Sequence, residues 1–290
     1  MAYAHPEYLI EADELRDRRG DPTLRVYDAT VKFVRERKSN PAVSGRSDYE
    51  AGHIPGAGFL DHFGAFSVAS ETHMLKLPTS DELAAAMRAI GINRDSEVVV
   101  YSTELVMWAT RAWWLLHYAG HSNVRVLNGG LEAWRKAGGE TVAGIENHPE
   151  GDFHGEARER IFAAKEEVLA AIGDGGICTL NTLTAAMYRG DDSFSYARPG
   201  HISGSLNLPW SELLSEEAFR DADSLRDALN EHCALSANRV ITYCGGGIAA
   251  TVGALACLLV GKGDVAVYDG SLSEWSADES LPMTTGHEAG

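Results

Sequence analysis

The sequence predicts an α/β protein built as two tandem domains, each a central parallel sheet flanked by helices. Three observations predict it: the chain is written twice, short β-rich runs alternate with helical stretches in both copies, and those runs are apolar. "YEAGHIPGAGFLD" at 49–61 has a counterpart in "ARPGHISGSLNLPW" at 197–210. "VVVYSTELVMWATRAWWLLHYAGHSNVRVLNGGLEAW" at 98–134 parallels "VITYCGGGIAATVGALACLLVGKGDVAVYDGSLSEW" at 240–275. The copies are offset by 148 positions at the GHI motif (53 to 201) and by 141 at the closing tryptophan (134 to 275). So small a drift marks duplication of a whole domain, far longer than a solenoid unit.

In chain order, the first copy offers strands in "LRVYDA", "EVVVYS" and "VRVLNG", with helices in "TSDELAAAMRAIG" and "WATRAWWLLHYAG". The second offers strands in "GICTLN", "RVITYC" and "VAVYDG", with helices in "KEEVLAAIG" and "AATVGALACLLVG". Apolar runs separated by helices favour parallel strands covered on both faces. The helix in "PTSDELAAAM" carries a start signal, with Ser80 or Thr79 as N-cap and acidic residues in the first turn. Residues 1–143 are expected to form the first domain and 159–290 the second. The polar, weakly patterned stretch 144–158 is expected to link them.

Composition narrows the function classes. The 290 residues are 44% hydrophobic and 23% charged, ordinary for a soluble globular protein. A formal net charge of −17 argues against nucleic acid or an anionic membrane surface as main partner, though a local site for a small anion stays compatible with it. The longest apolar run, "IAATVGALACLLVG", is too short to span a bilayer, and the acidic N-terminus lacks the order of a signal peptide. A cytoplasmic protein is expected. Its four cysteines, Cys178, Cys233, Cys244 and Cys257, form neither a C-x-x-C pair nor a zinc pattern. No disulfide and no metal site at zinc spacing is expected.

The chemistry concentrates in "VITYCGGGIAAT" at 240–251, a cysteine between an apolar run and a helix. Gly245, Gly247 and Ala250 match a dinucleotide fingerprint, with Asp269 at ribose-binding spacing. That reading fails on context, because too few residues follow Asp269 to complete a nucleotide-binding half, and the equivalent loop "STELVMWA" has no glycine. Phosphatase-type chemistry would need an arginine six residues after the cysteine, where Ala250 stands. The remaining reading is a sulfur nucleophile. Backbone N–H groups at a helix start favour an anion and should lower the thiol from its ordinary value of about 8.5. Gly245, Gly246 and Gly247 are expected to turn a ring of N–H donors toward that sulfur, and Ile248 and Ala249 to complete the active-site loop. The bland alternative, a buried cysteine beside a tight turn, is the expectation for Cys178, Cys233 and Cys257.

Taken together, "GHIPGA" and "GHISGS", "LNGGLEAW" and "YDGSLSEW", "WATRAWWLL" and "CGGGIA" resemble the two-domain rhodaneses, the thiosulfate and 3-mercaptopyruvate sulfurtransferases. The resemblance covers nearly the whole chain. It implies two similar α/β domains with only the second active, and Ser102 stands in the cysteine's place in the first. It also implies a Cys244 persulfide, loaded by a small anionic sulfur donor and discharged to a thiol or thioredoxin-like acceptor, without a cofactor. A persulfide carrier with a degenerate donor site is the alternative.

Departures from the family pattern concern the donor site. Basic residues or a C-G-[ST]-G hydroxyl usually follow the cysteine, and Gly246 stands where the hydroxyl should be. Asp61 and His73 look like the family's partners of that hydroxyl, or else form an interface hydrogen bond without chemistry. Leu183 and Met187 replace the family's substrate-binding arginines. Arg189 and Arg198 are the nearest substitutes for these, or else solvated surface charges. His53 and His201 of the GHI motifs read as turn and capping residues.

Overall fold

A computed structural model describes residues 2–34, 42–70, 75–192 and 196–287. The first sheet contains β1 (Leu9–Ile10), β2 (Leu24–Asp28), β3 (Gly58–Phe59), β4 (Glu97–Tyr101) and β5 (Val124–Leu127). The second contains β6 (Phe162–Ala163), β7 (Ile177–Asn181), β8 (Leu206–Asn207), β9 (Arg239–Tyr243) and β10 (Val265–Tyr268). Their orders are β1-β5-β4-β2-β3 and β6-β10-β9-β7-β8, the same permutation in each half. All pairings within both sheets are parallel. The six strands expected from the apolar runs are the three inner strands of each sheet. The two-residue edge strands lacked enough sequence to show a period.

The duplication extends to single hydrogen bonds. At the end of the central strand, the Tyr101 hydroxyl accepts from Ile54 N–H at 3.2 Å, and the Tyr243 hydroxyl accepts from Ile202 N–H at 3.0 Å. These isoleucines follow His53 and His201, which bond the Tyr49 and Tyr188 carbonyls at 2.7 and 2.8 Å and stack on those tyrosine rings. Both histidines are buried. The GHI motif thus fastens a turn to the sheet in each half, as expected of turn residues. Thr79 is the N-cap of the helix Ser80–Ala89, in a reciprocal capping box with Glu82.

Two helices form the centre of the molecule: α1 (Val106–Tyr118) and α2 (Ala250–Leu259). All of α1 except His117 is buried, and all of α2 except Leu258. A helix apolar on every face must be covered on every face, and here each sheet covers one side while the helices cover each other. Thr110 and Thr251, themselves 141 positions apart like the paired tryptophans, share a hydroxyl–hydroxyl bond of 2.7 Å. Asp269 accepts from Leu77 N–H of the first half at 2.9 Å, and Asn128, its counterpart, accepts from Phe219 N–H of the second at 2.9 Å. The halves therefore grip each other reciprocally, as two subunits do across a two-fold axis. Stretch 144–158 is no free tether: Phe153 is buried, and Gly151 N–H bonds Arg88 C=O at 2.8 Å.

Candidate active site

β9 ends at Tyr243 and delivers Cys244 to the joint between the sheet and α2, where it is only 2% exposed. The turn after β10 supports it. The Ser271 hydroxyl accepts from Cys244 N–H and from Gly247 N–H, both at 3.1 Å, and donates to Tyr268 C=O at 2.7 Å. Leu272 N–H bonds Cys244 C=O at 3.1 Å, and Ser273 N–H and hydroxyl both bond Gly245 C=O, at 2.9 and 2.7 Å. Gly247 N–H is thus directed to Ser271, a correction to the ring of donors expected around the sulfur. The reason is local. Gly247 has φ +73°, and a Cβ there would lie 2.7 Å from Asp269 C=O, so the loop folds down on the β10 turn.

The same turn shows what separates the halves. Leu131 N–H bonds Ser102 C=O as Leu272 N–H bonds Cys244 C=O, so Ser102 occupies the cysteine's place. Gly130 and Ser271 are counterparts, both left-handed with φ +57° and +48°. The first half fills this position with the residue that adopts it freely. The second keeps a serine there at a cost of order 1 kcal/mol or more, and its hydroxyl holds the cysteine loop.

The site also draws on the first half. Arg111, 1% exposed in the middle of α1, forms an ion pair of 2.7 Å with Asp269, off the line of a hydrogen bond. It also donates to Gly247 C=O at 3.3 Å and to Leu75 C=O at 3.2 Å. Its visible signal in the sequence is a lone cation inside the apolar "WATRAWWLL". Tyr196, like Arg111 and Ser271, joins the site without having been expected there. Its hydroxyl lies over Gly245, where a Cβ would come within 1.9 Å of it. Burial and the neighbouring Cys244 push its phenol well above the ordinary value, so the hydroxyl keeps its proton. No signal in "FSYARPGHI" marked it.

The donor-site candidates are placed differently. Arg198 donates from its guanidinium to the Ser276, Leu281, Trp275 and Asp278 carbonyls at 2.6–3.0 Å. It holds the C-terminal turn and is not a solvated surface charge. Arg189, at the end of the helix Ala185–Arg189, pairs with Asp191 at 2.7 Å. Asp61 accepts from Phe63 N–H at 3.0 Å and faces Arg46 at 3.8 Å. His73 lies outside the described residues. Cys178 and Cys257 are buried, and burial pushes their thiols up to about 11 and about 12. Cys233, expected buried, is exposed, in a left-handed turn with φ +58° just after the helix Ala222–Glu231. Among the described residues, no cluster of His, Cys, Asp and Glu could hold a metal, and no helix is long and apolar enough to cross a membrane.

A rhodanese-like domain is matched twice, over residues 11–137 and 188–278. The chain belongs to the rhodanese family. It is 32% identical to the 3-mercaptopyruvate sulfurtransferase of Escherichia coli K12, over 95% of this chain and 97% of that one. It is also 32% identical to the thiosulfate sulfurtransferase of Rattus norvegicus, over 91% of this chain and 89% of the rat protein. The crystal structure of SseA from Escherichia coli, described as a 3-mercaptopyruvate sulfotransferase with the rhodanese fold, superposes with a TM-score of 0.81 at 30% identity. That superposition covers 91% of this rhodanese and 98% of SseA.

Proposed function

We propose that Cys244 is the nucleophile of this sulfurtransferase and that it carries sulfur as a persulfide between two half-reactions. One observation carries the reading: the two halves share a strand order and a supporting turn, yet only the second puts a cysteine on the loop and a serine under it. In the first half-reaction the Cys244 thiolate attacks the outer sulfur of thiosulfate. A sulfur–sulfur bond forms, the original one breaks with its electron pair on the leaving sulfite, and Cys–S–S⁻ remains. With 3-mercaptopyruvate the carbon–sulfur bond breaks instead, and the enolate released takes a proton to become pyruvate. A thiol or thioredoxin-like acceptor then attacks the terminal sulfur and regenerates the thiolate.

Gly245, Gly246, Gly247, Ile248 and Ala249 shape the loop around that sulfur, while Arg189 and Asp61, with His73, form the proposed surroundings of the donor. Residues 1–143 and 159–290 act as the two functional units, joined by 144–158, in the reducing cytoplasm. Incubation with thiosulfate or mercaptopyruvate, followed by intact mass measurement, tests the reading. Gain of one sulfur atom, lost in Cys244→Ala, supports it, and no gain from either donor removes it.

A second reading, a persulfide carrier with weak turnover, is favoured by one observation: Arg198 commits its guanidinium to four backbone carbonyls. It predicts loading by a partner protein with slow cyanide-dependent turnover, and fast turnover abolished by Cys244→Ser would eliminate it.

A further inference from the structure

The cysteine loop carries no cation and no hydroxyl of its own. A rhodanese must nevertheless hold a charged sulfur between half-reactions, and the Gly247 N–H is directed to Ser271. The structure brings a hydroxyl from elsewhere. Tyr196 packs against the core, and its oxygen occupies the space that a side chain at position 245, next in sequence to Cys244, would fill. Gly245 therefore has a reason beyond loop flexibility. Any larger residue there would displace the phenol from the site.

We propose that the Tyr196 hydroxyl donates a hydrogen bond to the sulfur carried on Cys244, and so is a catalytic residue of the transfer. It supplies from outside the loop the side-chain donor that Gly246 does not. Three features suit it to the task. The ring is wedged against the core, so the oxygen is held without loss of side-chain freedom at each turnover. The phenol stays protonated, under the influence of burial, Cys244 and Asp192, so it can donate but not repel. Arg111 and Asp269 form the charged pair against Gly247, whereas Tyr196 stands over Gly245. When the thiolate becomes Cys–S–S⁻, one negative charge moves outward by one sulfur atom. A donor over Gly245 follows that charge without moving the loop.

The inference rests on the persulfide reading, and its test separates the two. Wild type, Tyr196→Phe and Tyr196→Ala are mixed with excess thiosulfate, quenched at intervals and weighed intact, so that persulfide formation is timed in a single turnover. Tyr196→Phe keeps the ring and loses only the oxygen. It is expected to slow persulfide formation about ten- to a hundred-fold, the worth of a hydrogen bond to a charged group, with thermal unfolding and the donor concentration for half-maximal rate unchanged. Tyr196→Phe loading at the wild-type rate overturns the proposal, whether or not Tyr196→Ala is impaired, because then only the ring matters. Failure of wild type to gain sulfur removes the persulfide reading itself and this inference with it.

Discussion

Arg111 and Asp269 form a 2.7 Å ion pair that joins the middle of the first half's central helix to the turn beneath the second half's cysteine loop. The pair is nearly sealed from water on the arginine side, and Asp269 also accepts from Leu77 N–H. Burying such a pair gains little over an apolar packing, but removing one member leaves an uncompensated charge. Arg111→Ala is expected to destabilise the fold by about 3–5 kcal/mol, measured by urea unfolding, and to lower turnover through the Gly247 carbonyl it releases. A loss below about 1 kcal/mol would mean that the pair behaves as a surface bridge.

Ser271 is expected to matter out of proportion to its size. Ser271→Ala leaves Cys244 N–H and Gly247 N–H without their acceptor, and each orphaned buried donor costs about 1–3 kcal/mol. Turnover should fall together with stability, and calorimetry alongside steady-state kinetics reads both. Unchanged turnover in a destabilised Ser271→Ala protein would show that the loop keeps its shape without this support.

The two arginines should part company. Arg198→Ala removes the cation that gathers four carbonyls, so the expected result is a loss of about 2–4 kcal/mol in stability with KM for thiosulfate unchanged. Arg189→Ala is expected to raise KM about tenfold with stability unchanged. The reverse pattern would return Arg198 to the donor site.

Acid should weaken the fold through two buried histidines, His62 and His121, and the half-buried His117. Burial lowers His62, His117 and His121 to about 4 in the folded chain, against about 6.5 when unfolded. Above pH 6.5 both states hold them neutral, and the folded state keeps its full stability. As pH falls from 6.5 toward 4 the unfolded chain takes up protons first, so stability is lost over that window. His62 bonds Trp108 C=O at 3.0 Å and is fully buried, and it accounts for up to about 3 kcal/mol of the loss. Urea titrations at pH 7 and pH 4.5 should therefore differ less in His62→Asn than in wild type.

Much of this architecture was legible because it was written twice. The six inner strands, both central helices and the cysteine's position at the β9–α2 joint follow from apolar runs and their repetition. The grip between the halves was not. Arg111 is distinctive as a cation in an apolar helix, but periodicity does not reveal a partner 158 positions away. Ser271 was hidden for a different reason: its left-handed backbone shows only in three dimensions, while the sequence reads as an ordinary "DGS" turn. Arg198 looked like a ligand because it stands near a familiar motif, and the carbonyls that claim it lie some eighty residues further on. Tyr196 carried no pattern at all, since an aromatic in a polar stretch says nothing of what it covers.

Transport of sulfur on Cys244 is tested by intact mass after brief exposure to thiosulfate, with peptide mapping to locate the addition. The expected result is a gain of one sulfur atom on the peptide containing Cys244, removed by cyanide and absent in Cys244→Ala. Sulfur found on Cys233 instead, the cysteine exposed at the surface, or turnover that survives Cys244→Ala, would contradict it.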